Sequence, residues 1–273
     1  MKKKVLSVIL MAAMVVVMAA GCNAKTAETN VTESAGAETT GSDKIFTVGF
    51  DQDFPPMGFV GEDGEFTGFD LELAAEAAKR MGMEIKYQPI AWDAKDMELT
   101  SGTIDCIWNG FTINGREDGY TWTKPYMAND QVFVVKTEAG IASKADLAGK
   151  AVEVQTDSSA EAALKEDAEL SSSFGTLIPV QDYNIAFMDL ESGAADAVAM
   201  DSIVANYQIT KRGADFTVLE ETLAAEEYGV GFKKGNDALR DQVQKALEEM
   251  AADGTMAKIS EKWFGKDITT IGK

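Results

Sequence analysis

The 273-residue chain contains no histidine and only two cysteines, and its cations are outnumbered, 25 Lys and Arg against 45 Asp and Glu. Without histidine there is no ordinary general base at neutral pH and no imidazole metal ligand. Ser-His and Cys-His catalysis and His-ligated zinc are therefore excluded. No GxxxxGK[ST] phosphate loop and no GxGxxG fingerprint occurs, so neither an ATPase nor a dinucleotide site is written here. The net charge of −20 opposes nucleic acid and bare anionic lipid as partners.

What is present begins with "MKKKVLSVILMAAMVVVMAAGC": a basic start, an apolar run from Val5 to Ala20, and small residues before Cys22. The run falls short of the roughly 20 residues of a comfortable membrane span and has the layout of a secretory signal. "AAGC" resembles the lipobox of bacterial lipoproteins, which implies residues 1–21 as signal peptide and Cys22 as a lipidated first residue. Loss of Lys2, Lys3 and Lys4 leaves 22 cations against 45 acids, a charge of −23. Residues 22–43 hold almost no large apolar side chain, and such a segment cannot offset its ordering entropy, so a flexible tether is expected. With Cys22 lipidated, Cys106 has no disulfide partner, and its apolar surroundings suggest a buried, inert thiol.

From Lys44 on, the pattern is α/β. "KIFTVGF" reads as a buried strand, and "FVGEDGEF" as a hairpin turning at Asp63-Gly64. A helix with Asp70 as N-cap runs to Gly82; "MEIKYQPI", a helix over Lys95 to Ser101, and the strand "TIDCIW" complete a βαβαβ unit. A second series follows. It comprises "QVFVVK", a short helix in "SKADLAGK", "AVEVQ", a helix over "TDSSAEAALKEDAEL", "TLIPVQ", a helix from Asp182 to Ser192, "ADAVAM" and a helix from Ser202 to Arg212. After "FTVLE" come one more strand, "YGVGFKK", and helices from Asp237 to Ala252 and Thr255 to Phe264. Two series with a strand and helices left over indicate two lobes, the first completed by the C-terminal segment. Extended connections near Ala128 to Gln131 and Glu226 to Tyr228 would cross between them, and a ligand would sit at the carboxyl ends of the strands.

Several strand ends carry suitable chemistry. "VQTDSSAE" ends a strand and opens a helix with a capping box, Ser158 to Glu161, so the N–H groups of Ser159 and Ala160 can meet an anion. "IWNGFTINGR" brings Arg116 to the same end of the first series, and its guanidinium fits a carboxylate in two-pronged fashion. Asp201 follows "AVAM" and is either an N-cap or a partner for an ammonium. Asp51, Phe54 and Trp92 also follow strands, where aromatic rings serve as packing or as ligand stackers. A cation, two acids, rings and a helix N-terminus together suit a free α-amino acid.

Six segments carry a specific resemblance: "VGFDQDFPPM", "FTGFDLELAAEAAKRMG", "SGTIDCIWNGFTINGR", "VEVQTDSSAE", "GAADAVAMD" and the stretch from "EYGVGFKKGN" to "EKWFG". In this order, over Ile45 to Gly265, the chain resembles the polar amino-acid-binding proteins of bacterial ABC importers, solute-binding protein family 3, and within them the glutamine-binding proteins. That resemblance implies the two-lobed type II periplasmic-binding-protein fold with two hinge crossings, lobe 1 being 44–129 and 227–273 and lobe 2 being 130–226. It implies that Arg116 clamps the ligand carboxylate with the N–H groups of Thr112 and Ser159. Asp201 then holds the ammonium with the Thr112 hydroxyl and the Gly110 carbonyl. Asp51, Phe54, Trp92, Asn109 and Gln155 meet the ligand side chain. Arg116 follows Thr112 by four residues where the family pattern has five.

The expected protein is a monomeric lipoprotein on the outer face of the cytoplasmic membrane, anchored in the lipid bilayer through Cys22. It would bind a polar amino acid, with an amide or cationic side chain ahead of cystine, and deliver it to an ABC permease, with no cofactor and no metal. An enzyme on the same fold, dehydratase-like, is the alternative, and it would need a further acid or base in the cleft. A ligand-sensing lobe of a signalling receptor is a third reading.

Overall fold

A computed structural model describes residues 44–213 and 215–273. The signal, the tether and the lipidation residue Cys22 lie outside the described residues. Among those described, no helix is long and apolar enough to cross a membrane.

The first series runs through β1 (Ile45–Phe50), β2 (Asp53–Phe54), β3 (Gly58–Val60), β4 (Phe66–Thr67), α1 (Phe69–Met81), β5 (Glu84–Pro89), α2 (Lys95–Ser101), β6 (Cys106–Ile107) and β7 (Tyr120–Trp122). The second has β8 (Met127–Lys136), β9 (Ala151–Gln155), α3 (Ser159–Glu166), α4 (Ala168–Ser173), β10 (Thr176–Val180), α5 (Tyr183–Ser192), β11 (Ala197–Asp201), α6 (Ser202–Arg212), β12 (Phe216–Val218) and β13 (Ala224–Tyr228). β14 (Gly231–Lys233), α7 (Asp237–Asp253) and α8 (Thr255–Phe264) follow.

These strands form two large sheets, one per lobe. The first has the order β5-β1-β6-β14-β7, with β1 parallel to β5 and β6. The second has the order β10-β9-β11-β8-β12, with β13 paired antiparallel to β8. The chain thus enters the second sheet along β8 and leaves it along β13, and these neighbouring strands bring it back to β14 of the first sheet. β2, β3 and β4 form a small separate sheet.

Local chemistry explains most boundaries. α2 starts and ends as its pattern predicts, closed by Gly102 in the left-handed conformation, and α6 spans the expected residues. Three expectations are corrected. Asp70 is not the N-cap of α1: the cap is Gly68, two residues earlier, and buried Asp70 accepts bonds from the Gly110 N–H (2.6 Å) and the Tyr126 hydroxyl (2.9 Å). Gly68 sits at φ 144°, where a Cβ would lie 2.3 Å from the Met57 carbonyl oxygen, so only glycine fits this entry to the helix. The helix expected over 156–170 divides into α3 and α4, because Asp167 leaves helical geometry and its side chain caps the second piece at Leu170 N. "YGVGFKK" is likewise not one strand: its Tyr228 ends β13 in the second sheet, while Gly231 begins β14 in the first.

α1, α7 and α8 pack together beside the first sheet around Phe69, Leu73, Leu247, Met250 and Met256, all fully buried. A second apolar cluster, with Phe133, Val152, Leu164 and Ala199, lies on the other face of the second sheet. A smaller group, Trp92, Leu99, Ile104, Ile107 and Phe111, lies under the loops bearing the candidate site.

Candidate ligand-binding cleft

The carboxyl ends of β1 and β6 face those of β9 and β11, and the lobes touch there. Gln155, the last residue of β9, donates its Nε2 to Asp51 Oδ2 (2.7 Å) just past β1. The Thr112 hydroxyl lies 3.2 Å from Ser159 Oγ, Asn184 donates to Asp53 (3.0 Å), and buried Lys95 pairs with Asp157. Each of these contacts joins one lobe to the other.

Around the first strand end, Asp51 is held by its own loop. Its carboxylate accepts the Asp53 N–H (2.9 Å), and its N–H donates to Asn109 Oδ1 (3.0 Å). Burial raises the Asp51 pKa to about 6 against the bonds from Asp53 and Gln155, and the charges of Asp53 and Asp182 push the same way. Asp51, Asp53, Trp92, Gln181 and Asp182 line a hollow of about 300 Å³. Phe54 is buried beside Tyr183 (ring centroids 6.0 Å), and Trp92 meets Phe111 edge-on at 5.5 Å. At φ 57°, Gly110 presses against the Phe54 ring, where a Cβ would come within 2.9 Å. The loop can pass between Phe54 and Tyr228 only because residue 110 has no side chain.

Arg116 stands at the rim. Its guanidinium reaches two main-chain oxygens at long distance, Thr112 O (3.4 Å) and Asp157 O (3.3 Å), and lies over the Phe111 ring at 5.4 Å. No carboxylate of the described residues pairs with it, so donors remain for an anion. Ser158 caps α3 through Glu161 N (3.1 Å), but Glu161 returns to Asp157 N (2.8 Å) and not to Ser158, a shifted capping box.

Asp201 does not use its side chain as an N-cap. Asn129 Oδ1 takes that role, accepting Ile203 N (3.2 Å) and the Ser202 hydroxyl (2.9 Å). The buried Asp201 carboxylate is thereby left to accept Asn129 Nδ2 (3.1 Å), Gln131 Nε2 (2.8 Å) and the Tyr228 hydroxyl. Burial, and then the charge of Glu226, raise its pKa well above the ordinary carboxylate range.

Of the ten expected site residues, Asp51, Phe54, Trp92, Asn109 and Gly110 gather near the end of β1, Arg116 lines a second hollow of about 300 Å³ with Lys95 and Asp157, and Thr112, Gln155, Ser159 and Asp201 join the contacts at the facing strand ends. Others lie there too. Lys95 is 2% exposed yet carries an ammonium, paired with Asp157 and 5.2 Å above the Trp92 ring. Burial lowers its pKa, and Asp157 opposes that. Glu226, Asn129, Gln131, Tyr183 and Tyr228 are buried around Asp201. Asn109 Nδ2 and Gln131 Oε1 have no hydrogen-bond partner, which is costly for buried groups unless something else meets them. A hollow of about 780 Å³ lies elsewhere, beside α7, α8 and the C-terminal residues, and no expected site residue lines it. Among the described residues, no three His, Cys, Asp or Glu side chains are grouped to hold a metal ion. Cys106 is fully buried, and burial pushes its thiol well above the ordinary pKa.

Acids and a free guanidinium at strand ends of two lobes are the architecture of a closing binding protein. The family described as bacterial extracellular solute-binding proteins, family 3, matches residues 46–266. The chain belongs to that family. It is 34% identical over 226 residues to the L-cystine-binding protein TcyJ of Escherichia coli K12, covering 81% of this chain and 83% of TcyJ. Among solved structures, an ABC uptake transporter substrate-binding protein of Streptococcus pneumoniae with bound histidine superposes with a TM-score of 0.81. It shares 36% identity, covering 84% of this chain and 96% of that one. An ancestral amino acid-binding protein, AncCDT-1, a precursor of cyclohexadienyl dehydratase, has a TM-score of 0.74 and 32% identity, over 81% of this chain and 95% of its own. The fold of this family-3 protein is the two-lobed type II periplasmic-binding architecture.

Proposed function

We propose that this family-3 solute-binding protein holds a free polar amino acid between its lobes and hands it, closed, to an ABC permease. The observation that carries this reading is the pairing, in one cleft, of a guanidinium without a carboxylate partner (Arg116) and a buried carboxylate without a cation (Asp201). Zwitterion recognition needs both. The ligand carboxylate takes the free donors of Arg116 with the N–H groups of Thr112 and Ser159. Asp201 takes the ammonium with the Thr112 hydroxyl and Gly110 carbonyl. Asp51, Phe54, Trp92, Asn109 and Gln155 enclose the side chain. An amide or cationic side chain suits a hollow with three carboxylates and an indole face.

In this reading lobe 1 is 44–129 with 227–273, lobe 2 is 130–226, and the monomer is held to the outer face of the cytoplasmic membrane by lipid on Cys22. Support comes from the amino acids named for the family relatives, cystine and histidine. The test is a thermal-shift screen of the common amino acids and cystine, since a ligand at about 100 times its Kd adds roughly 2.7 kcal/mol. No shift with any of them refutes the reading. The kinship with a dehydratase precursor makes recovery of the bound ligand the second readout. Intact amino acid after incubation supports a receptor, and a dehydrated product supports an enzyme.

A further inference from the structure

Glu226 lies on β13, opposite Asn129 of β8, and its side chain turns into the cleft beside Asp201. The two carboxylates share the same donors. Asn129 Nδ2 lies 3.1 Å from Asp201 Oδ1 and 2.7 Å from Glu226 Oε1, and Gln131 Nε2 is 2.8 Å from each. The other Glu226 oxygen accepts the hydroxyl of Thr112 at 2.9 Å, from the opposite lobe. Both acids are at most 5% exposed, and no Lys or Arg of the described residues pairs with either. One polar atom of a fully buried side chain is unpartnered at this spot: Gln131 Oε1, whose own Nε2 lies between the acids. The Tyr183 hydroxyl, close to Ser158, feels the charges of both Asp201 and Glu226. A spare acceptor beside two carboxylates suits a donor-rich cation.

We propose that Glu226 is a second ammonium-binding carboxylate: it forms one seat with the buried Asp201, which carries a proton in the ligand-free protein and releases it to solvent when an ammonium arrives. This rests on the amino-acid reading above. The balance is simple. Two buried carboxylates in contact cannot both stay ionised without a cation, so a proton fills that role until a ligand –NH3+ replaces it. The ammonium brings three donors for Asp201, Glu226 and Gln131 Oε1, and the proton leaves to the buffer. The seat therefore selects ligands with a free amino group over N-acylated ones. The titratable groups facing the pair are Tyr228 on the strand of Glu226, Tyr183 on α5, Tyr126 behind Tyr228 and, through Tyr183, Asp51 on the first lobe. Burial raises all three phenols well above their ordinary pKa, so they stay neutral across the useful range.

The test is isothermal titration calorimetry of the full chain in detergent, between pH 5 and 8, in buffers of different ionisation heat. The probe is whichever of L-glutamine, L-arginine, L-histidine and L-cystine binds tightest. The wild type should release about one proton per ligand, with affinity rising about tenfold per pH unit wherever that proton is exchanged. Glu226→Gln should reduce the proton release and flatten the slope, because burial of Asp201 remains while the neighbouring charge is gone, and should bind at least tenfold more weakly. Asp51→Asn, which removes another buried carboxylate of the cleft and with it any proton Asp51 exchanges, should keep the part of the release that Glu226→Gln removes. Wild-type binding without proton release, or Glu226→Gln with unchanged affinity and proton count, overturns the proposal while leaving the amino-acid reading intact. Failure of all four probes to bind overturns that reading and this proposal with it. Absence of proton release in the wild-type series is decisive by itself, so a misfolded variant does not rescue the idea.

Discussion

Asp157→Asn should loosen the closed form of the cleft. Asp157 leads into α3 at φ 60°, a conformation that asparagine tolerates as well as aspartate, so the substitution removes a charge without adding backbone strain. Its partner Lys95 is 2% exposed and otherwise has the carbonyls of Trp92 (3.4 Å) and Asp157 itself (3.3 Å) and the face of the Trp92 ring (5.2 Å). Removing one partner of a fully buried ion pair costs about 3–5 kcal/mol. Here the Asp157 side chain is 54% exposed and both carbonyls remain, so screening reduces the expected cost to about 1–2 kcal/mol. Because Lys95 belongs to one lobe and Asp157 to the other, that energy is lost from closure, and ligand affinity should fall about 5- to 30-fold. Calorimetric titration of wild type and variant with the same amino acid measures it. Adding Lys95→Met should restore part of the loss, since it removes the stranded ammonium. Asp157→Asn binding within twofold of wild type would refute the view that this pair helps to close the lobes.

Three further expectations follow from the same contacts. Arg116→Lys should lower affinity at least tenfold, about 1.4 kcal/mol, in the same titration, through loss of two-pronged carboxylate recognition. Burial lifts Asp70 to a pKa of about 7 from 3.8, so the folded form holds its proton more tightly than the unfolded chain. That contribution to stability is complete below about pH 4 and is lost as pH rises through 7, by a few kcal/mol, and Asp70→Asn should flatten the decline in Tm measured between pH 5 and 8. Leu247→Ala, at a fully buried position of α7, should cost about 2–5 kcal/mol in denaturant unfolding, with ligand affinity unchanged in the variant that remains folded.

The order of elements was legible because helices here end where glycine follows a periodic apolar run, at Gly82, Gly102, Gly193 and Gly213. It failed where tertiary demand overrides a local signal. Asp70 has an N-cap's composition, yet the Gly110 N–H and the Tyr126 hydroxyl, 40 and 56 residues away, claim its carboxylate. Lys95 looked like an ordinary residue at the start of a helix. Its burial depends on Asp157 of the other lobe, and nothing near it in sequence announces that contact. Strand ends point to Asp51 and Asp201, and the family resemblance adds Asn109 and Gln155, but neither reaches the middle of paired strands.

A signal for the hinge residues did exist, and it was one of period rather than of motif. On β8 the inward positions are Met127, Asn129 and Gln131, with Ala128 exposed between them, and on β13 they are Glu226 and Tyr228, with Glu227 exposed. Strand alternation normally places apolar side chains on the inward face. A run of Asn, Gln and Glu there conflicts with the cost of burying polar groups, unless they face one another and a ligand. Register then makes the consequence unavoidable: Glu226 pairs with Asn129, and Ala224 with Gln131, so one face of a two-stranded crossing carries amides and an acid against Asp201. Because the chain crosses between lobes along these two strands, any charge placed in that cluster acts on the segment that closure must bend. If this cluster seats the ligand ammonium as proposed, ligand recognition and hinge geometry use the same side chains, and a substitution at Glu226 should alter both affinity and the open-to-closed balance. Small-angle scattering of ligand-free wild type and Glu226→Gln tests the second effect. An unchanged radius of gyration in both, with and without ligand, would separate the seat from the hinge.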